Sequence, residues 1–182
     1  MKKYEFTGET RNVQGVILKR IRAVRDFGDV CAGDIGGWIE KEENLSHDDN
    51  AWVCENARVY GNARVCDNAW VYDNAQVCGN AQVCGDARVC GNAWVCGNAQ
   101  VCGGEWEESP CYIQGTRWMI HISSAETVRC GCQDHTWQEW HDHYTEISEE
   151  HGGNDVLEEY IRYFNLLCEM YGHEDCKIGG AT

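Results

Sequence analysis

Proline is nearly absent from this chain: Pro110 is the only one in 182 residues. That excludes a collagen-like or polyproline architecture. Basic residues are scarce, with 15 Lys and Arg against 30 Asp and Glu and a net charge of −15. Such a balance works against nucleic-acid binding, because phosphates are repelled. No run of about 18 apolar residues occurs, so no membrane span is expected. The opening MKKYEFTGET is charged but has no apolar stretch behind it, so no secretory leader is expected and the chain reads as cytoplasmic. In that compartment the 13 cysteines are expected to be thiols rather than disulfides.

The acid is unevenly spread. Residues 1–33 carry seven basic and four acidic side chains, residues 34–49 one and six, residues 50–103 three and four, and residues 104–182 four and sixteen. The acidity therefore belongs to the last third, where it reads as a solvated surface or as a surface that imitates nucleic acid.

Residues 50–103 read in sixes without slip: NAWVCE, NARVYG, NARVCD, NAWVYD, NAQVCG, NAQVCG, DARVCG, NAWVCG, NAQVCG. Ala holds the second place and Val the fourth in all nine hexads, and Asp86 is the single replacement for Asn at the first place. Within each hexad Ala, a variable residue and Val alternate, so Ala and Val point to one face of a short strand and the middle residue to the other. Gly, Asp or Glu followed by Asn supplies the corner. One strand per side and three sides per coil give about 18 residues per coil, and coils must stack before the thin Ala/Val column is buried. The place after Val holds Cys or Tyr and reads as a half-exposed corner.

The repeat resembles the hexapeptide-repeat proteins, which implies a left-handed parallel β-helix over residues 32–103. The run DFGDVCAGDIGGWIEKEENLS (Asp26 to Ser46) and the later GCQDHTWQEW (Gly131 to Trp140) resemble hexapeptide-repeat proteins of phages, prophages and gut bacteria. That likeness implies a bacterial or phage-infected cell but no established activity. With no intact catalytic set, a prism bearing Trp and Arg and a very acidic end, the expected function is a non-enzymatic binding scaffold, and given the likeness an antagonist of host defence that masks a defence protein or sequesters a nucleotide signal.

The expected organisation is therefore a mainly β protein of about four coils. An N-terminal hairpin over residues 1–31 covers one end, with its turn near Asn12 to Gly15 and a wet face of Arg20, Arg22 and Arg25 alternating with Ile21 and Val24. Residues 32–49 form a degenerate first coil in which Ile39 and Leu45 fall on the Ala place. Residues 104–182 form an α+β cap: three strands (CYIQ, RWMIHIS, TVRCGC), then a helix opened by Thr136 and Glu139 and running to about Glu150, and a second opened by Asp155 and Glu158 and running to about Tyr171.

Residues 18 apart stack on one side of the prism. One side shows Trp52, Trp70 and Arg88, the second Arg58, Gln76 and Trp94, the third Arg64, Gln82 and Gln100. Outward Trp and Arg residues suit an interface with a protein partner or with further copies of the chain, a trimer among them. The plainer alternative is that they cover the strands and stack on one another.

Cys66, Cys84 and Cys102 form a thiol ladder at disulfide range but with parallel Cβ directions. Cys130, Cys132 and His135 have the residue types of a zinc site but not a standard spacing, and Cys132 with His135 lacks an orienting third group for nucleophilic catalysis. The resemblance also implies acyl transfer with a histidine base at a subunit cleft, yet His47 is the only histidine near the coils and no loop interrupts the hexads. The outward places also lack the Thr ladder of an ice-binding surface. No catalytic residue, metal or cofactor is expected, and the acyltransferase stands as the alternative.

Overall fold

The structure, a computed structural model, describes residues 1–179 and divides into a unit running Met1–Pro110 and a second beginning at Cys111. In the first unit β1 (Tyr4–Val13) and β2 (Val16–Ala23) form an antiparallel hairpin, and β3 (Ile35–Ile39) pairs with β2. Nine two-residue strands follow, one per hexad: β4 (Trp52–Val53), β5 (Arg58–Val59), β6 (Arg64–Val65), β7 (Trp70–Val71), β8 (Gln76–Val77), β9 (Gln82–Val83), β10 (Arg88–Val89), β11 (Trp94–Val95) and β12 (Gln100–Val101). With β13 (Glu105–Trp106) they stack as three parallel sheets, ordered β3-β5-β8-β11, β4-β7-β10-β13 and β6-β9-β12. This is a parallel β-helix of about four coils.

The repeat explains itself in this geometry. Every Val of the nine hexads is fully buried, and the Ala residues are at most 2 % exposed. Successive coils are joined by backbone bonds such as Trp52 N–H to the Ala69 carbonyl and Cys54 N–H to that of Val71. Asn at the first place builds a side-chain ladder: Asn62 donates to Asn80 and Asn80 to Asn98, while Asn50 donates to Asn68 and Asn68 to Asp86. Asp86 breaks the pattern without cost. It stands where only an acceptor is needed, since the residue 18 further on is Gly104.

The corners lie in the left-handed region. Glu55, Asp67 and Asp73 adopt φ of 54°, 59° and 55°, an unfavourable state for a side chain. Each offsets it with a bond along the stack: Glu55 accepts from Asp73 N–H, Asp67 from Gly85 N–H and Asp73 from Gly91 N–H. At Gly85 a Cβ would sit 2.2 Å from the Cys102 carbonyl oxygen, so only glycine fits there.

Both ends of the helix depart from the six-residue frame. Ile39 pairs with Val59 and Leu45 with Val65, so they occupy the Val place and not the Ala place. The first coil is two residues longer than the others. The excess is absorbed between Ser46, whose N–H still meets Val65, and Asn50, whose N–H meets Asp67 in the regular spacing. Gly37 takes the Ala place, where a Cβ would lie 2.8 Å from the Ala57 carbonyl oxygen. At the far end the ladder continues past Gly103: Trp106 pairs with Val89, only 17 residues on, and its indole N–H donates to the Gly103 carbonyl. Trp106 closes the apolar column with a larger side chain than Val.

The hairpin's inner face is Leu18, Ile21 and Ala23. Val24 lies three residues past Ile21, on the opposite face by simple alternation, and is exposed.

The second unit is an antiparallel meander of four strands, β14 (Tyr112–Gln114), β15 (Met119–Ile122), β16 (Thr127–Cys130) and β17 (Gln133–Thr136), followed by α1 (Trp137–Glu150) and α2 (Leu157–Tyr171). α1 opens with the expected capping box of Thr136 and Glu139. α2 does not: it starts after a 3₁₀ turn at Asn154–Val156 with no side-chain cap, and Asp155 instead pairs with Arg117 at 2.8 Å. Gly172, with φ of 78°, ends α2. No helix among the described residues is long and apolar enough to cross a membrane.

Candidate functional site

The outward ladders lie as the spacing predicts, in register on three faces: Trp52, Trp70, Arg88 and Glu105; Trp38, Arg58, Gln76 and Trp94; Arg64, Gln82 and Gln100. Their environments differ sharply. Trp52 is 2 % exposed, with Phe27 edge-on at 5.3 Å and Tyr4 beyond it, so it is part of the hairpin's packing and not an open surface. Trp38, which the sequence reading had not singled out, is also sealed: the Arg11 and Arg20 guanidiniums lie 4.3 and 5.1 Å from its ring centre. Trp70 and Arg58 are half-buried, and Arg64 and Arg88 are exposed. Trp94 is 48 % exposed on the last strand of its sheet. Its indole N–H donates to the Cys78 sulfur at 3.0 Å.

The arginines of the open ladders, and those of the hairpin over Trp38, make no salt bridge, although Arg88 has Glu105 beside it in its ladder. Among the described residues no carboxylate pairs with Arg11, Arg20, Arg58, Arg64 or Arg88. The Arg20 and Arg58 Nε atoms are buried with no hydrogen-bond partner among the described residues. In a chain with twice as many acids as bases, guanidiniums left unpaired on flat sheet faces are available to an acidic or aromatic surface.

The other sequence candidates fall as follows. His47 lies against the hairpin, stacked on Tyr4 at 4.3 Å, and its Nδ1 accepts the Lys3 backbone N–H at 3.3 Å. Burial lowers its pKa. With Nδ1 used as acceptor, the neutral ring carries its proton on Nε2, so neither nitrogen offers the lone pair that a general base needs. Lys3 beside it is fully buried; burial, with repulsion from Arg25, brings its ammonium down to about 8.

Cys84 and Cys102 are in contact at 2.8 Å, and this contact together with burial raises the Cys84 pKa. The corner thiols are less open than expected: Cys78 and Cys90 are buried, since stacked coils cover them. Cys130 and Cys132 do not share a strand. Cys130 ends β16, Gly131 turns with φ of 59°, and Cys132 lies in the tight turn before β17. His135 packs edge-on against Trp140 at 5.2 Å and bonds Gln133. No group of three or more His, Cys, Asp or Glu among the described residues is placed to hold a metal.

Two comparisons bear on this geometry. The family described as YdcK beta solenoid repeat matches residues 57–73, 63–79 and 81–97, all within the hexads. A protein of Escherichia coli (strain K12) described as the uncharacterized acetyltransferase YdcK is 37 % identical over 70 residues, which is 34 % of this chain and 22 % of that protein. The chain therefore spans less than a quarter of the relative it matches, and the likeness supports a β-solenoid repeat protein.

Proposed function

We propose that this chain is a non-enzymatic β-solenoid scaffold that works by binding protein surface through its open Trp and Arg ladders, and that the first surface it binds is a second copy of itself. The observation that carries the reading is Trp94, half exposed on a flat parallel sheet in line with the unpaired Arg58. Aromatic and Arg side chains anchor interfaces. Arg64 and Arg88 extend the same chemistry to the other two faces, and the acidic residues beyond Gly103 of a neighbouring copy supply the complementary charge. The test is the solution mass of the wild type and of Trp94→Ala with Trp70→Ala. Dissociation by the double substitution supports the reading, and an unchanged mass contradicts it.

The finer reading is that the scaffold antagonises a host defence system in a phage or prophage setting. It is supported by the likeness of Asp26 to Ser46 and of Gly131 to Trp140 to such proteins, and by the Arg11, Arg20 and Arg58 guanidiniums, which suit either an acidic protein or a nucleotide phosphate. Co-purification with defence proteins, and nucleotide retention on the purified chain, check it; neither a complex nor a retained nucleotide contradicts it.

The acetyltransferase name of the similar protein favours a second reading, acyl transfer at a subunit cleft with His47 as base. The tautomer of His47 weighs against it. Acyl transfer from a thioester that is lost in His47→Ala would establish this reading, and no transfer by the wild type would remove it.

A further inference from the structure

The C-terminal unit contains a cavity of about 160 Å³ that the repeat does not explain. It lies between the hairpin of β16 and β17 and the helices α1 and α2, walled by Trp118, Trp140, Ile161 and Phe164 with Gln133 and His151 at one side. It is partly open to solvent, since Cys132 and His151 in its lining are exposed, so a small molecule can reach it. An apolar cavity of about 150 Å³ is large enough for benzene.

The walls are held apart by specific bonds. The Tyr160 hydroxyl donates to the Trp118 carbonyl at 2.7 Å and accepts from the backbone N–H of Trp118 and Arg117. The Trp118 indole rests on two glycines, since a Cβ at Gly131 or Gly153 would come within 3.2 or 3.1 Å of its ring. The Trp140 indole N–H donates to the Val128 carbonyl at 2.7 Å. Rotating either indole into the void would break these contacts, so the space is kept open by the surrounding structure.

The polar side fixes the ligand class. His151 Nδ1 donates to the Ile147 carbonyl at 2.9 Å, which leaves Nε2 to accept from the Gln133 amide at 2.8 Å. The same amide nitrogen lies 3.4 Å from the Cys132 sulfur, and Gln133 Oε1 takes the His135 Nε2 contact. These groups satisfy one another's hydrogen bonds. No Lys, Arg, Asp or Glu lines the pocket, so a charged ligand would give up part of its hydration and gain no counter-charge. A flat neutral ring would gain aromatic contact on two walls.

We propose that this cavity is a binding site for a small uncharged aromatic molecule of one or two fused rings. Calorimetric titration of the full chain with indole and with benzene tests this, with indole-3-carboxylate as the charged comparison. The proposal expects saturable one-to-one binding of indole or benzene and at least tenfold weaker binding of the carboxylate. Ile161→Trp, which fills the space, should weaken indole binding at least tenfold while circular dichroism shows the fold retained. If that variant does not fold, Gln133→Ala serves instead: removing the amide should leave benzene binding intact and narrow the preference for neutral over charged ligand. No saturable heat with either neutral ring, equal binding of the carboxylate, or undiminished binding in folded Ile161→Trp would overturn the proposal.

Discussion

Trp52 and Trp70 stand directly opposite each other in one parallel sheet, a single coil apart, yet only Trp52 is sealed beneath Phe27. The same residue type at the same place in the hexad thus serves packing in one coil and surface in the next. Trp52→Ala is expected to cost about 3–5 kcal/mol, as for a large buried aromatic. Trp94→Ala, at a site exposed within one chain, should stay within about 0.5 kcal/mol of the parent when both are compared as monomers at low concentration. Urea unfolding of the two variants checks this, and equal losses would contradict the assignment of roles.

The corners offer a matched pair. Gly61 and Gly85 occupy the same hexad place with φ of 70° and 59°, but an added Cβ would stand 3.1 Å from its neighbour at Gly61 and 2.2 Å at Gly85. Both Ala substitutions incur about 1–2 kcal/mol for a left-handed side chain. Backbone is the obstacle at both, but at Gly85 the Cys102 carbonyl oxygen stands at 2.2 Å, far inside contact distance, so Gly85→Ala should cost clearly more. Thermal unfolding that ranks the two alike would show that the coils are not stacked as described.

Lys3 gives the protein a measurable pH signature. Its folded-state pKa is lowered to about 8 by burial and by Arg25, against 10.5 for an ordinary lysine. Between these values the unfolded chain holds a proton that the folded chain has released, so this group makes stability rise with pH. Buried thiols act in the opposite sense: Cys54, pushed up to about 12 by burial, ionises first in the unfolded chain and lowers stability at alkaline pH. Comparison with Lys3→Met cancels the thiol contribution. The stability of the parent relative to Lys3→Met should increase from pH 7.5 to pH 10, and a flat difference would place Lys3 in solvent.

Thr136 caps α1 through a reciprocal pair of bonds with Glu139. Thr136→Ala is expected to lower the stability of the C-terminal unit by about 1 kcal/mol. Hydrogen exchange should show the loss as faster exchange in the first turn of α1, and no change there would mean that packing of Trp137 alone starts the helix.

Much of this fold was legible because six residues were enough to specify one strand and one corner, and nine copies left no freedom in register. Legibility failed where the unit changed. Counting back in sixes put Ile39 and Leu45 two places early in the hexad, because two residues near Asp48 and Asp49 bulge out of the first coil. The same counting could not show that Trp106 closes the column from a shortened coil. The exposure of each outward residue was not legible either, since Trp52 and Trp70 differ only in what the distant hairpin covers. At Cys130 and Cys132 the sequence looked like one strand; Gly131, able to take a left-handed φ, was the signal that a turn divides them. The unpaired Arg11 and Arg20 over Trp38 depend on strand pairing that local pattern does not encode.

On the proposed reading the open ladders bind protein, beginning with a second copy of this chain. Light scattering with multi-angle detection tests it most directly. The account predicts a wild-type mass that is a multiple of 20.6 kDa and a return to 20.6 kDa when Trp70→Ala and Trp94→Ala are combined. A wild type that stays at the monomer mass as concentration is raised, or an oligomer indifferent to both substitutions, would contradict it.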